Sequence, residues 1–142
     1  MKRILVGVDG SPESKQAAEF AAGLADALKA KLTLIYVAAT PLTFGPEMEH
    51  HRLKDWEIAN REYGSAVLRE IAAHCARPGL RVETRLEEGP PAETLAQLAG
   101  LTGAGMIAVG HRGRSAGKRL LLGSVADRLA QISPGPVLIY RG

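Results

Sequence analysis

Hydrophobic and polar residues follow two different periodicities along the chain, and together they predict five strands separated by four helices. Short apolar runs without alternation indicate strands covered on both faces, whereas apolar residues spaced three and four apart indicate helices. The predicted strands are residues 4–8, 32–37, 80–87, 106–109 and 137–140. The predicted helices are residues 12–29 and roughly 47–76, a segment that follows Pro91, and a short segment that begins at Ser124.

This regular order predicts one α/β domain over residues 1–142, with a doubly wound parallel sheet of five strands and helices on both faces. The first strand is wholly apolar, whereas the third alternates apolar and charged residues, as expected at a sheet edge. These patterns fit the strand order 3-2-1-4-5, in which ligands bind where the winding reverses, between strands 1 and 4. We therefore expect Asp9 and Gly10, which follow strand 1, to face Gly110 across one crevice.

Local signals define the helices further. Ser11 followed by Pro12 matches an N-cap and a first helical position. The long second helix is expected to bury a stripe formed by Trp56, Ala59, Tyr63, Val67 and Ile71.

Composition narrows the class of protein. Hydrophobic residues make up 46% and charged residues 23% of 142, as in soluble globular domains. A net charge of +3 and 4% aromatic residues argue against a nucleic-acid-binding surface. No apolar run approaches the roughly 20 residues of a membrane-spanning helix, and no leader signature is visible at the start, so a cytoplasmic location is expected. Cys75 is the sole cysteine and is interpreted as core filling.

The segment from Gly110 to Ser124 has the composition of a phosphate-binding loop. It lies between the fourth strand and the last helix, where glycines let backbone amides approach an anion and the helix start adds further donors. The segment contains no acidic residue and carries four cations, namely Arg112, Arg114, Lys118 and Arg119.

Two common phosphate motifs are excluded by spacing. A Walker loop needs Gly-Lys-Ser/Thr, but Gly117-Lys118 is followed by Arg119. The dinucleotide fingerprint Gly-x-Gly-x-x-Gly fails because Gly103 and Gly105 lead to Ala108. The loop instead reads glycine, two residues, glycine, nine residues, then Gly-Ser, at Gly110, Gly113, Gly123 and Ser124.

With this motif the chain resembles a universal stress protein of the ATP-binding type. The resemblance covers nearly the whole chain. It includes Ile-Leu-Val-Gly-Val-Asp-Gly-Ser at 4–11, Glu-Gly-Pro at 88–90, the segment 110–126 and Pro-Val-Leu-Ile at 136–139. The family has a Rossmann-like fold related to that of the adenine nucleotide alpha hydrolases. The chain departs from the family at Gly105, where an acidic residue is usual, and this change should affect local packing more than binding.

The resemblance implies a site for ATP and Mg²⁺. Gly110 and Gly113 would lie against ribose and phosphate, and Gly123 and Ser124 would bond the phosphates. Asp9 would lie beside the nucleotide and its metal. The backbone of Val37 would read adenine. The full predicted site is Val8, Asp9, Val37, Val109, Gly110, Arg112, Gly113, Arg114, Gly123, Ser124 and Val125, with Asp9 toward the metal.

Structural explanations remain open for several of these residues. Ser124 with Asp127 also fits a capping box, Asp9 could merely shape the turn before Ser11, and the cations could belong to a solvated loop. His111 stands where the family usually has a small or hydroxylated residue, and no role is assigned to it.

The leading hypothesis is an ATP-binding stress-response dimer with at most slow hydrolysis or self-phosphorylation, since no catalytic base is evident. The dimer would form through the uncharged last strand, Val137, Leu138, Ile139 and Tyr140, because such an edge is usually blocked or paired. The alternative is a short edge shielded by Arg141 and Gly142. The alternatives are an adenylyl- or nucleotidyl-transferring enzyme of related fold and an interaction module that has lost nucleotide.

Overall fold

The computed structural model describes residues 1–39, 50–112 and 122–142, excluding the side chains of residues 50 and 51. In chain order the described elements are β1 (Arg3–Val8), α1 (Pro12–Leu28), β2 (Lys31–Ala38), α2 (His50–Cys75), β3 (Val82–Glu88), α3 (Pro91–Thr102), β4 (Met106–Gly110), α4 (Ser124–Ile132) and β5 (Val137–Tyr140). The predicted strand–helix order is confirmed. The third strand is shifted by two residues at its start, and residues 47–49 of the predicted second helix lie outside the described part.

The strands form one parallel sheet of order β3-β2-β1-β4-β5, which confirms the predicted α/β class and winding. Val8 at the end of β1 pairs with Tyr36 of β2, and Val6 pairs with Ala108 of β4. The carboxyl ends of the central strands therefore meet at the same edge of the sheet, where connections lead to α1 and α4.

Two apolar cores cover the faces of the sheet. Alanines of α1 pack on one face with residues of α2, and the other face is covered by α3 and α4. Cys75 lies fully buried in the first core, where its thiol lies 3.6 Å from the carbonyl of Ala18. Burial raises the pKa of this thiol to about 11, in line with a core-filling role.

The buried row of α2 differs in part from the predicted stripe. Val67 and Ile71 are buried as expected, but Tyr63 is 39% exposed and Ala59 is exposed. The inward row instead runs through Gly64, because its missing side chain lets the Tyr36 ring pack directly on the helix. Continued toward the start of α2, this row passes through Asn60 after one turn and Trp56 after two.

The last strand lies at the sheet edge, as predicted. Its side chains are partly buried, and those of Leu138 and Ile139 pack against the two cores. The Tyr140 ring lies 5.4 Å from that of Phe20 on α1.

Two further predictions concern the position of Gly105 and the absence of a membrane-spanning helix. Gly105 directly precedes β4, remote from the carboxyl edge, and donates its amide hydrogen to the carbonyl of Arg3 at 2.9 Å. In the described residues, no helix has both the length and the apolar character that crossing a membrane requires.

Candidate functional site

A crevice of about 310 Å³ opens at the carboxyl ends of β1, β2 and β4. Its lining includes these predicted residues: Val8, Asp9, Val37, Val109, Gly110, Arg112, Gly123, Ser124 and Val125. Gly113 and Arg114, which complete the predicted set, lie outside the described residues. The carboxyl ends of β1 and β4 thus meet at the winding reversal, as predicted.

One part of the crevice is apolar. Ile35, Leu95 and Val109 line it and belong to the core beneath α3 and α4. Gly7 lets Leu95 approach β1 closely, since a Cβ there would lie 2.7 Å from Leu95 Cδ1. Such a surface suits the flat apolar faces of an aromatic ring.

The turn between β1 and α1 is held by its own side chains. The Ser11 amide donates to Asp9 Oδ1 at 2.9 Å, and the Ser14 amide donates to Ser11 Oγ at 3.1 Å. Ser14 Oγ accepts from the Asp9 amide at 3.2 Å and donates to the Ser11 carbonyl at 3.0 Å. Asp9 therefore shapes this turn, and Ser11 is the predicted N-cap, followed by Pro12 at the first helical position.

The first turn of α1 packs directly against the end of β4. A Cβ on Gly110 would lie 2.9 Å from Glu13 Cβ, so a larger residue would push the two elements apart. Gly10, with φ of +88°, lies beneath the Tyr63 hydroxyl and has no room for a side chain. Asp9 and Gly110 line the same crevice, as predicted, whereas Gly10 is not among its lining residues.

The start of α4 lacks a side-chain cap. Its N-cap is Gly123, with φ −69° and ψ 159°, and Ser124 is the first helical residue. The capping box suggested for Ser124 is therefore wrong, because the Ser124 side chain lies one position too late to cap. The first helical bond runs from the Asp127 amide to the Gly123 carbonyl at 2.9 Å.

The amides ahead of that bond have no acceptor within the helix. They belong to Ser124, Val125 and Ala126, all of which line the crevice. Three N–H donors and the positive end of a helix therefore adjoin this cavity, an arrangement suited to an anion.

Arg112 is the described cation that lines the crevice. Its Nη2 lies 4.0 Å from Glu13 Oε1, and its Nε donates to His111 Nε2 at 3.1 Å. Arg112 is thus held by neighbours and is not simply part of a solvated loop. The other loop cations lie outside the described residues.

His111 is 8% exposed and acts mainly through its main chain. Its amide donates to the Tyr140 carbonyl at 2.9 Å, and its carbonyl accepts from the Gly123 amide at 2.6 Å. It therefore joins β4, β5 and the start of α4. Its buried Nδ1 has no hydrogen-bond partner among the described residues.

The lining also includes residues that were not predicted to lie at the site, among them Tyr36, Trp56 and Asn60. The Tyr36 hydroxyl donates to Asn60 Oδ1 at 2.9 Å. Trp56, Asn60 and Gly64 follow one another at intervals of four residues, so helical spacing could have indicated that they share a face. A search restricted to apolar residues misses this row, because it passes over Asn60 and Gly64.

A preformed metal site is not found among the described residues, which contain no cluster of three or more His, Cys, Asp or Glu side chains suited to a metal. Asp9 supplies the carboxylate lining the described crevice. Mg²⁺ commonly binds through one or two carboxylates together with phosphates, so Asp9 fits a metal that arrives with a polyphosphate.

The fold and crevice define a doubly wound α/β protein with a ligand-sized cavity at its topological switch point. Residues 1–141 match the sequence profile of the universal stress protein family, and the chain belongs to this family. The universal stress protein YxiE of Bacillus subtilis is 31% identical, with 98% of each chain covered.

Solved structures of universal stress proteins have a similar fold. The universal stress protein UspA from Lactobacillus plantarum superposes with a TM-score of 0.90 at 23% identity, covering 99% of this chain and 97% of that one, which supports the fold. A universal stress protein in complex with cAMP has a TM-score of 0.74 at 29% identity, again covering 99% and 97%.

Proposed function

We propose that this universal stress protein binds ATP with Mg²⁺ in the crevice and acts as a nucleotide-dependent regulatory dimer. The observation that carries the proposal is the uncapped start of α4, whose three leading amides line a cavity that also has an apolar part. The similar protein solved in complex with cAMP supports an adenine nucleotide as the class of ligand.

In the proposed arrangement, the two ends of the nucleotide meet different surfaces. The base would lie on the apolar surface of Leu95 and Val109, with the backbone of Val37 at its edge. The phosphates would reach the amides of Ser124 and Val125, where helix-start donors favour negative charge. Gly110 would lie against the ribose, because its bare backbone permits close approach.

Asp9 would hold the magnesium that accompanies the phosphates. Bound Mg²⁺ would neutralise part of the phosphate charge and orient its oxygens. Asp9 Oδ1 also accepts from Ser11, so the turn itself orients the carboxylate. Asp9→Asn preserves that acceptor while it removes the charge, so ATP affinity in Mg²⁺ should fall about tenfold and the benefit of added Mg²⁺ should shrink.

Turnover should be slow at most. Asp9 is the carboxylate that lines the described crevice, and its proposed role in binding metal leaves no separate general base. Nucleotide occupancy would then act as a signal through the surface that the bound loop presents.

The direct experiment is to purify the protein, denature it with heat and analyse the supernatant for ATP, followed by calorimetry with MgATP. Ser124→Ala removes a hydroxyl but keeps the amide and should weaken binding modestly. Gly113→Val tests the part of the motif outside the described residues. Full ATP affinity in both variants would refute the proposed loop.

The proposed dimer pairs the exposed edges of β5 from two copies. The carbonyl of Pro136 accepts from Ile107 of β4, and that of Tyr140 accepts from His111, which follows β4. Strand alternation therefore turns the Ile139 amide toward the open edge. Ile139→Pro removes that outward donor without removing a bond to β4. Sedimentation should show a monomer with a native circular dichroism spectrum, whereas a folded variant that stays dimeric would refute this interface. A charge at Leu138 is less suitable, because it would lie against an apolar core, whereas proline at position 139 keeps an apolar ring against the other core.

A further inference from the structure

The first turns of α2 bring an aromatic and a polar side chain to the crevice. Trp56 and Asn60 are one helical turn apart, so they lie on the same face of α2, and both line the crevice. Ile58, which lies between them in sequence, is 48% exposed and does not line it. The face of α2 that carries Trp56 and Asn60 is therefore directed to the cavity.

Asn60 is oriented by a buried partner. The Tyr36 hydroxyl donates to Asn60 Oδ1 at 2.9 Å, and Tyr36 is only 4% exposed. The Tyr36 ring also contacts Tyr63 edge-on, with centroids 6.0 Å apart. With Oδ1 engaged in this way, the amide nitrogen of Asn60 supplies two donors to whatever lies beside it.

The pair lies at the side of the crevice opposite the phosphate-binding amides. Asn60 is bonded to Tyr36 on β2, and β2 adjoins β1 on the side away from β4. The start of α4 is joined to the end of β4 through the bond between the Gly123 amide and the His111 carbonyl. Tyr36 directly precedes Val37, which we assign to the edge of the base.

We infer that Trp56 and Asn60 form the base-recognition wall of this site, an inference that rests on the proposed nucleotide binding. Trp56 contacts the base or its sugar with the face or edge of its indole, and Asn60 donates a hydrogen bond to an acceptor of the nucleoside. Tyr36 is a positioning residue that keeps the Asn60 amide turned toward the ligand. The chemistry recognised is that of the nucleoside, independent of the number of phosphates.

This independence gives a sharp test by calorimetry with AMP and ATP. Trp56→Ala should weaken both ligands by a similar factor of about ten, within the range measured when an aromatic residue that stacks on a base is removed. Asn60→Ala removes the donor without adding a charge, and it should also weaken AMP and ATP in parallel. Ile58→Ala is the matched control on the same helix and should leave both affinities unchanged.

The role of Tyr36 is tested by a double-mutant cycle. Tyr36→Phe should weaken AMP several-fold when Asn60 is present and have little further effect in the Asn60→Ala background, because the hydroxyl acts through the amide. Equal losses in both backgrounds would show that Tyr36 supports only the fold.

Trp56 is also the one tryptophan of the chain, so its fluorescence reports directly on this wall. Its emission should change on addition of AMP and saturate with the calorimetric affinity. If AMP binds but emission is unchanged and Trp56→Ala retains full affinity, the inference is refuted. If the wild type binds no nucleotide at all, the proposed function itself fails.

Discussion

The starts of two helices, α1 and α4, border the same crevice. They differ in whether side chains of the protein accept hydrogen bonds from their first backbone amides. The start of α1 is closed by its own sequence, since Ser11 caps the helix and Asp9 accepts from the Ser11 amide. The start of α4 has glycine at the same position and no side-chain cap, and the residues that carry its leading amides line the cavity. A capped start contributes to stability, whereas an uncapped one next to a cavity can bind an anionic ligand. The two starts should therefore respond to mutation in opposite ways.

The largest effect is expected when the missing cap is supplied at α4. Gly123 has backbone angles that any residue adopts, so Gly123→Asp can place a carboxylate over the leading amides. That carboxylate competes with phosphate and repels it, and ATP affinity should fall by about 100-fold, or about 2.7 kcal/mol. Calorimetry measures the affinity, and thermal unfolding should show no loss of stability.

Gly123→Ala is the control for this change, because it adds a methyl group but no cap. It should retain more ATP affinity than Gly123→Asp. Equal affinity of Gly123→Asp and the wild type would mean that these amides do not bind phosphate.

A smaller effect, on stability alone, is expected at the capped start. Ser11→Ala removes the acceptor of the Ser14 amide and should lower the free energy of unfolding by about 1 kcal/mol. Urea denaturation measures this loss. ATP affinity should stay within about twofold, and a large drop would show that the two starts are not functionally separate.

The smallest effect is expected where the two starts meet. Glu13 in the first turn of α1 lies 4.0 Å from Arg112, so its carboxylate competes with phosphate for this cation. Glu13→Gln should raise ATP affinity by up to about threefold at low salt, with less gain at high salt, because the pair is partly exposed. Unchanged or weaker binding at low salt would show that Arg112 does not act on the phosphates.

The fold was largely predictable because its signals are local. The apolar run of β1, the alternating charges of β3 and the Ser11-Pro12 start each point to the element that forms. Their order then leaves few topologies. The meeting of Asp9 and Gly110 followed from the same logic, since strand ends at a winding reversal must adjoin one another. The other predicted crevice residues came from the family resemblance.

What escaped prediction depends on contacts between elements. The inward row of α2 contains Asn60 and Gly64, whose places depend on the Tyr36 hydroxyl and ring and not on their own polarity. Ser124 and Asp127 matched a capping box by spacing, yet Ser124 is the first helical residue and Gly123 occupies the N-cap position. Periodicity shows which residues are apolar, but it does not show which polar residue has a buried partner.

The central claim is that the leading amides at the start of α4 bind the phosphates of an adenine nucleotide. The most direct measurement is a calorimetric titration of the wild-type protein with MgATP and, in parallel, with adenosine. The account predicts saturable binding of MgATP that is at least about tenfold tighter than that of adenosine, since charge-assisted bonds to these amides form only with the phosphates. Equal affinity for the two ligands, or no binding of MgATP, would contradict it.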